Sequence, residues 1–190
     1  MSSFDHSAAA LAALPGHKAV ARFDEAVDGY FEAHLRGRPS IDLIMYAASA
    51  AGEHSLIWLG LAGLHGWRAR RSWKPLARVG AALAAESALV NGGVKSAFRR
   101  PRPERPETSP LPLRTPRTSS FPSGHASAAF FAAALLRDSP AWPLYYALAV
   151  VVAASRIHVR THHASDVVAG AALGAVLGEL ARPIASIRNN

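Results

Sequence analysis

Ser155-Arg156-Ile157-His158-Val159-Arg160-Thr161-His162-His163-Ala164-Ser165-Asp166 sets two arginines, three histidines and a carboxylate between two apolar, small-residue segments. Such a cluster at the junction of two helices is costly to hold unless it binds or reacts with something. His162 and Asp166 stand four residues apart, so at the start of a helix they share a face. An imidazole held by a carboxylate is fixed in tautomer and orientation, and one ring nitrogen stays free to attack. Arg156 adds a planar fork of donors suited to phosphate oxygens. By itself the stretch points to a phosphate ester and a histidine nucleophile.

Five apolar segments surround it: Ile41–Leu64, Leu76–Val94, about Gly124–Leu136, Ala141–Ala154 and about Ala164–Ala181. The first two approach the ~20 residues that cross a bilayer. The third and fourth, taken singly, are short enough for core helices of a soluble protein. The fifth carries Gly170, Gly174 and Gly178, a doubled GxxxG that lets helices meet backbone to backbone. Further out, residues 19–36 predict an amphipathic helix. Val20, Phe23, Val27, Tyr30 and Phe31 form one stripe, and Arg36-Gly37-Arg38-Pro39 ends the helix. It either covers a core or lies in a membrane interface. Residues 1–18 read as a flexible tail. No cleavable leader is evident, since Pro15-Gly16 interrupts the short Ala/Leu run.

The formal net charge is +8 and the pI is near 10.8, which fits an anionic partner: nucleic acid, anionic lipid or a phosphate substrate. Nucleic acid is the poorest of these, because the Arg-rich loops lack interleaved aromatic platforms. Absence of cysteine removes disulfides, thiolate metal sites and thiol catalysis. The apolar fraction is 50%, yet mean hydropathy is only +0.10, so composition alone does not make a membrane protein.

The joins are informative. The loop over 95–123 is long and rich in proline and arginine, with Arg99, Arg100, Arg102, Arg105, Arg114 and Arg117; loops of that length in compact domains are usually functional or disordered. If helix directions alternate, Lys95, His125, Arg156 and His162 all fall at one end of the bundle. Lys95 with Arg102-Pro103 alone could be a basic membrane flank. Pro122-Ser123-Gly124-His125 alone is ordinary turn chemistry, although a helix start offers free N–H groups to an anion.

Together and in order, Lys95 with Arg102-Pro103, then Pro122-Ser123-Gly124-His125, then Ser155-Arg156 with His162 and Asp166 resemble the three-part signature of the type 2 phosphatidic acid phosphatase (PAP2) superfamily. The resemblance spans about residues 41–181. It implies that Lys95, Arg102 and Arg156 bind phosphoryl oxygens and that Ser123 and the Gly124 N–H complete the cradle. It implies that His162 attacks phosphorus to form a phosphohistidine, Asp166 orients it, and His125 protonates the leaving oxygen and then activates water. No metal or other cofactor is implied. His158 with His162 as a metal pair is a poor reading, lacking a carboxylate-rich shell. Arg99, Arg100, Arg114 and Arg117 are expected at lipid headgroups or substrate.

The expected fold is all-α: an integral-membrane helical bundle of about five transmembrane helices plus the N-terminal amphipathic helix. The expected organisation is a tail over 1–18, an interfacial helix over 19–38 and a PAP2-like domain over 39–190. Expected partners are membrane lipids and a lipid phosphate: a polyprenyl diphosphate, a prenyl-phosphosugar such as decaprenylphosphoryl-phosphoribose, or a phosphatidic-acid-like lipid. Oligomeric state is open. Arg68, Arg70, Arg71, Lys74, Arg78, Arg137, Arg182 and Arg188 on the far face place the site on the outer face of a cytoplasmic membrane. A vanadate-binding haloperoxidase-like enzyme and a catalytically silent lipid-binding membrane protein are the competing readings. Glu53 and Glu86 fall at similar depth in the first two segments, so both are expected to face the bundle interior, close together.

Overall fold

The computed structural model describes residues 15–70, 72–105 and 118–187. Those residues form seven α-helices and no strand: α1 (Pro15–His34), α2 (Pro39–Ala51), α3 (Leu56–Arg70), α4 (Lys74–Ser87), α5 (Gly124–Leu135), α6 (Trp142–His158) and α7 (Ala164–Ala185). A π turn (Ala88–Gly93) and a 3-10 turn (Val94–Ala97) extend α4. Prolines at the first turns of α2, α4 and α6 sit where a missing N–H costs nothing. Ser123 starts α5, its Oγ accepting from the Ala126 N–H at 3.4 Å.

The centre is the seam between α5 and α7. Gly170, Gly174 and Gly178 are buried along one face of α7. A Cβ at Gly170 or Gly174 would overlap the carbonyl oxygens of Ser123 and Ser127, and one at Gly178 would lie 2.7 Å from the Ala134 Cβ. The doubled GxxxG therefore holds α7 against an alanine-rich α5, as close approach without side chains requires. Trp58, Val79, Leu83, Phe131, Leu135 and Val152 fill the main core around that pair.

One expectation changes and two are filled in. The first apolar segment is two helices: α2 packs on α6, whereas α3 packs on α4. Between them, Glu53–Ser55 forms a 3-10 turn with His54 and Ser55 at φ 50° and 59°. An uninterrupted helix cannot contain two left-handed residues, so the segment bends there. Glu86 is buried and accepts from the Ser127 hydroxyl, while Glu53 lies against His125. Finally, α1 begins at Pro15 and turns its predicted stripe outward: Val20, Phe23 and Tyr30 are 43%, 45% and 56% exposed, while Asp24 and Phe31 are buried. The helix docks through polar contacts, because the Asp24 carboxylate takes the Ser165 N–H (2.7 Å), the Ser165 hydroxyl (2.9 Å) and Arg100 (2.6 Å).

Among the described residues one helix, α7, is long and apolar enough to cross a membrane, with 22 residues and a mean hydropathy of 1.5. The count of five spans is not matched by that measure. Helix α5 is apolar but has only 12 residues.

Candidate active site

The bundle brings the three sequence motifs to one end, as the alternating helix directions predict. The turn after α4 carries Lys95, the following loop carries Arg102, the start of α5 carries Ser123, Gly124 and His125, and α6 ends with Arg156. His162 lies between α6 and α7, and Asp166 in the first turn of α7. Lys95, Ser123, Arg156, His162 and Asp166 are all buried.

His162 is held through both ring nitrogens. Nδ1 lies 2.7 Å from the Ser120 carbonyl, to which it donates, and Arg102 Nη1 donates to Nε2 at 3.2 Å. Those two bonds select one tautomer, with the proton on Nδ1 and the lone pair of Nε2 directed at the cations. Burial, reinforced by Arg156, Arg102 and Lys95, pushes the His162 imidazole down to about 4, so it is neutral at physiological pH. Asp166 opposes that shift from 3.8 Å away, beyond hydrogen-bond length from Nδ1. Its Oδ1 takes Arg100 at 2.6 Å, its Oδ2 the His163 N–H at 2.9 Å, and its carbonyl the Ser123 N–H at 2.9 Å. Asp166 thus ties the catalytic turn, the Arg-rich loop and the start of α5 together. The bond that fixes the tautomer is supplied by Ser120.

The cations are anchored from behind. Arg102 Nη1 also donates to the Thr161 carbonyl at 2.7 Å, and Nη2 reaches the Thr118 and Ser119 carbonyls at 3.3 Å. Arg156 Nη1 donates to the Ser49 hydroxyl, and its Nε has no protein partner. Burial, then the nearby Arg102 and Arg156, pushes the Lys95 ammonium down to about 8. Lys95, Arg102 and Arg156 lie close enough to act on one another's charge, so a phosphoryl anion held among them gains from all three. The first N–H groups of α5 add an anion-binding end, since first-turn donors have no intrahelical acceptor.

The sequence reading missed the supporting residues. Arg100, expected at headgroups or substrate, instead bridges Asp24 and Asp166, each at 2.6 Å. His158 Nε2 lies 2.8 Å from Asp42 Oδ1. Among the described residues no group of three or more His, Cys, Asp or Glu side chains could hold a metal ion. Arg36 closes the end of α6 by donating to the His158 and Ile157 carbonyls at 2.9 and 2.8 Å. Arg114 and Arg117 lie outside the described residues. A cleft of about 450 Å³ beside the cradle is lined by Phe98, Arg99, Arg100, Arg102, Thr118 and Ser119 among others.

Residues 75–189 match the family model of the PAP2 superfamily. The chain is 37% identical over 152 residues to decaprenylphosphoryl-5-phosphoribose phosphatase of Mycolicibacterium smegmatis, covering 78% of this chain and 82% of that protein. It is 36% identical over 162 residues to the decaprenylphosphoryl-5-phosphoribose phosphatase of Mycobacterium tuberculosis, covering 84% and 89%. The fold is similar, at a TM-score of 0.68 and 24% identity over 95% of this chain and 93% of the other, to a transmembrane PAP2 type phosphatidylglycerolphosphate phosphatase from Bacillus subtilis. With three motifs converging on one buried cradle and relatives at this similarity, the chain belongs to the PAP2 superfamily.

Proposed function

We propose that this chain is an integral-membrane lipid phosphate phosphatase acting on a prenyl-linked phosphosugar of the decaprenylphosphoryl-5-phosphoribose class, through a phosphohistidine on His162. The observation that carries the chemistry is the lone pair of His162 Nε2, held towards Arg102 by the Nδ1 bond to Ser120. The substrate class rests on relatives of that printed activity at 36–37% identity over most of both chains.

In the first step the Nε2 lone pair forms the N–P bond. The P–O bond breaks with its electrons to the leaving oxygen, which takes a proton from His125. Lys95, Arg102 and Arg156 neutralise the equatorial oxygens, and the N-terminus of α5 with Ser123 and Gly124 completes their surroundings. In the second step water attacks phosphorus, its proton goes to His125, and the N–P electrons return to Nε2. Asp166 keeps the His162 turn in place.

A membrane setting is supported by the apolar length of α7 and by the outward Val20, Phe23 and Tyr30 of α1, which suit an interface. We place α2–α3, α4 with its π turn, α5, α6 and α7 in the bilayer, and the cradle at its outer face. The 450 Å³ Arg-lined cleft is suited to an anionic headgroup.

Phosphate release should be measured from prenyl-phosphosugar, polyprenyl diphosphate and phosphatidic acid in detergent micelles. Preference for the phosphosugar is expected; preference for another lipid would reassign the substrate, and no release from any would remove the phosphatase reading. Since each role belongs to a protein cation or imidazole, EDTA should change the rate by less than about twofold, while vanadate should inhibit as a mimic of pentacoordinate phosphorus. Loss in EDTA restored by one divalent ion would break that scheme.

A further inference from the structure

We propose that Glu53 is a positioning residue for His125, holding its ring for proton delivery to the leaving oxygen and proton removal from water. The inference rests on the phosphatase reading above and adds a residue outside the three motifs. Glu53 Oε2 lies 3.6 Å from His125 Nε2, and that nitrogen is buried without a hydrogen-bond partner. An orphaned buried ring nitrogen aimed at a carboxylate just beyond bonding distance is a contact that tightens when substrate orders the site.

The surroundings give the carboxylate something to offset. The charged and titratable groups around the ring are Arg156 of α6, His162 of the α6–α7 turn, Lys95 of the turn after α4, and Arg102 of the following loop. A protonated ring among three cations is repelled unless an anion accompanies it. Asp166 is taken by Arg100 and the His163 N–H, which leaves Glu53 as the carboxylate at His125.

The backbone is built around the same contact. Gly52 is the position where a Cβ would lie 3.1 Å from His125 Cδ2 and 3.0 Å from Val152 Cγ1, so a glycine lets the turn press on the ring. The next residues after Glu53, His54 and Ser55, occupy left-handed φ, which non-glycine residues avoid unless the structure holds them there. The α2–α3 break thus sets Glu53 beside His125.

In the proposed steps Nε2–H of the imidazolium donates to Glu53 while the proton on Nδ1 goes to the leaving oxygen. In the second step Nδ1 takes a proton from the attacking water. Glu53 keeps its charge throughout, so no further reactant is needed.

The protein in detergent tests this by single-turnover phosphorylation with two substrates: a prenyl-phosphosugar, whose departing sugar alkoxide must be protonated, and 4-nitrophenyl phosphate, whose leaving group needs no proton. Glu53→Gln should slow the prenyl reaction about 100-fold and the aryl reaction less than about threefold, as loss of general-acid function predicts. Glu53→Asp should recover part of the prenyl rate. Equal losses on both substrates, or no loss on the prenyl-phosphosugar, would overturn the role of Glu53. A wild-type protein inactive on both substrates would instead overturn the phosphatase reading, and this inference with it.

Discussion

The two histidines of the cradle are supported in opposite ways. His162 sits beside the α5–α7 seam, where glycines bring backbones together, and both of its nitrogens are bonded. His125 faces the α2–α3 break, where the chain is left-handed at two successive residues and its Nε2 has no bond. A nucleophile needs one tautomer and one direction, which a rigid seam supplies. An acid that becomes a base must change protonation twice per turnover, so a contact able to tighten and relax suits it. The difference in setting supports the roles proposed for the two residues, which kinetics can separate.

Exchange of roles would break that comparison outright. His162→Ala should reduce turnover by about 10⁴-fold or more and abolish acid-labile phosphate labelling, because it removes the lone pair proposed to carry the phosphoryl group. Rapid-quench labelling with radiolabelled substrate and peptide mapping in alkali reads this directly. Label on the His125 peptide would reverse the assignment. Inversion at a chiral phosphorus would replace the two-step scheme with direct attack by water.

Asp166→Asn sharpens the comparison at the next level. Since Ser120 O fixes the His162 tautomer, loss of the Asp166 charge should not free the ring. It should instead weaken the pair with Arg100 and the link to Asp24. A fall in kcat of about 10²-fold is expected, smaller than the ~10⁴ seen where the aspartate itself sets the tautomer. Arg100→Ala should then cause a comparable fall. Unchanged activity in Arg100→Ala, with Asp166→Asn inactive, would return the orienting role to Asp166.

Much of the seam was legible in the sequence. Gly170, Gly174 and Gly178 recur at helical spacing, and small residues at that spacing have one main use. The convergence of Lys95, His125, Arg156 and His162 followed from assuming alternating helix directions, which the short joins on either side of α6 favour and the long 95–123 loop does not fix by itself. The break was not legible. Ile41–Leu64 reads as one apolar run, and neither Glu53-His54-Ser55 nor Gly52 carries a turn signal strong enough to stop a helix. Tertiary contact with His125 and Val152 decides it. The docking face of α1 was left open by the sequence: periodicity finds the apolar stripe, but it does not show that Asp24 meets Arg100 and Ser165 while Val20 and Phe23 stay exposed. Ser120 carries no side-chain signal at all, since its carbonyl does the work.

The smallest expected effect is at Lys95, a charged neighbour of both histidines. Burial and its neighbours Arg102 and Arg156 push this ammonium down to about 8, so in the free enzyme it is charged below that pH and neutral above it. Phosphate binding favours the charged form, which raises the pKa in the complex. Two pH profiles should therefore differ. The value of kcat/KM, which reports the free enzyme, should bend downward near pH 8 and fall about tenfold by pH 9. The value of kcat, which reports the complex, should stay level over the same range. Lys95→Arg keeps its charge through that range, so it should remove the alkaline bend from kcat/KM while lowering the plateau by a geometric mismatch. A bend that persists in Lys95→Arg would move the titration to another group. A bend of equal size in both profiles would mean that phosphate does not sit against Lys95, and the cradle would then reduce to Arg102, Arg156 and the start of α5.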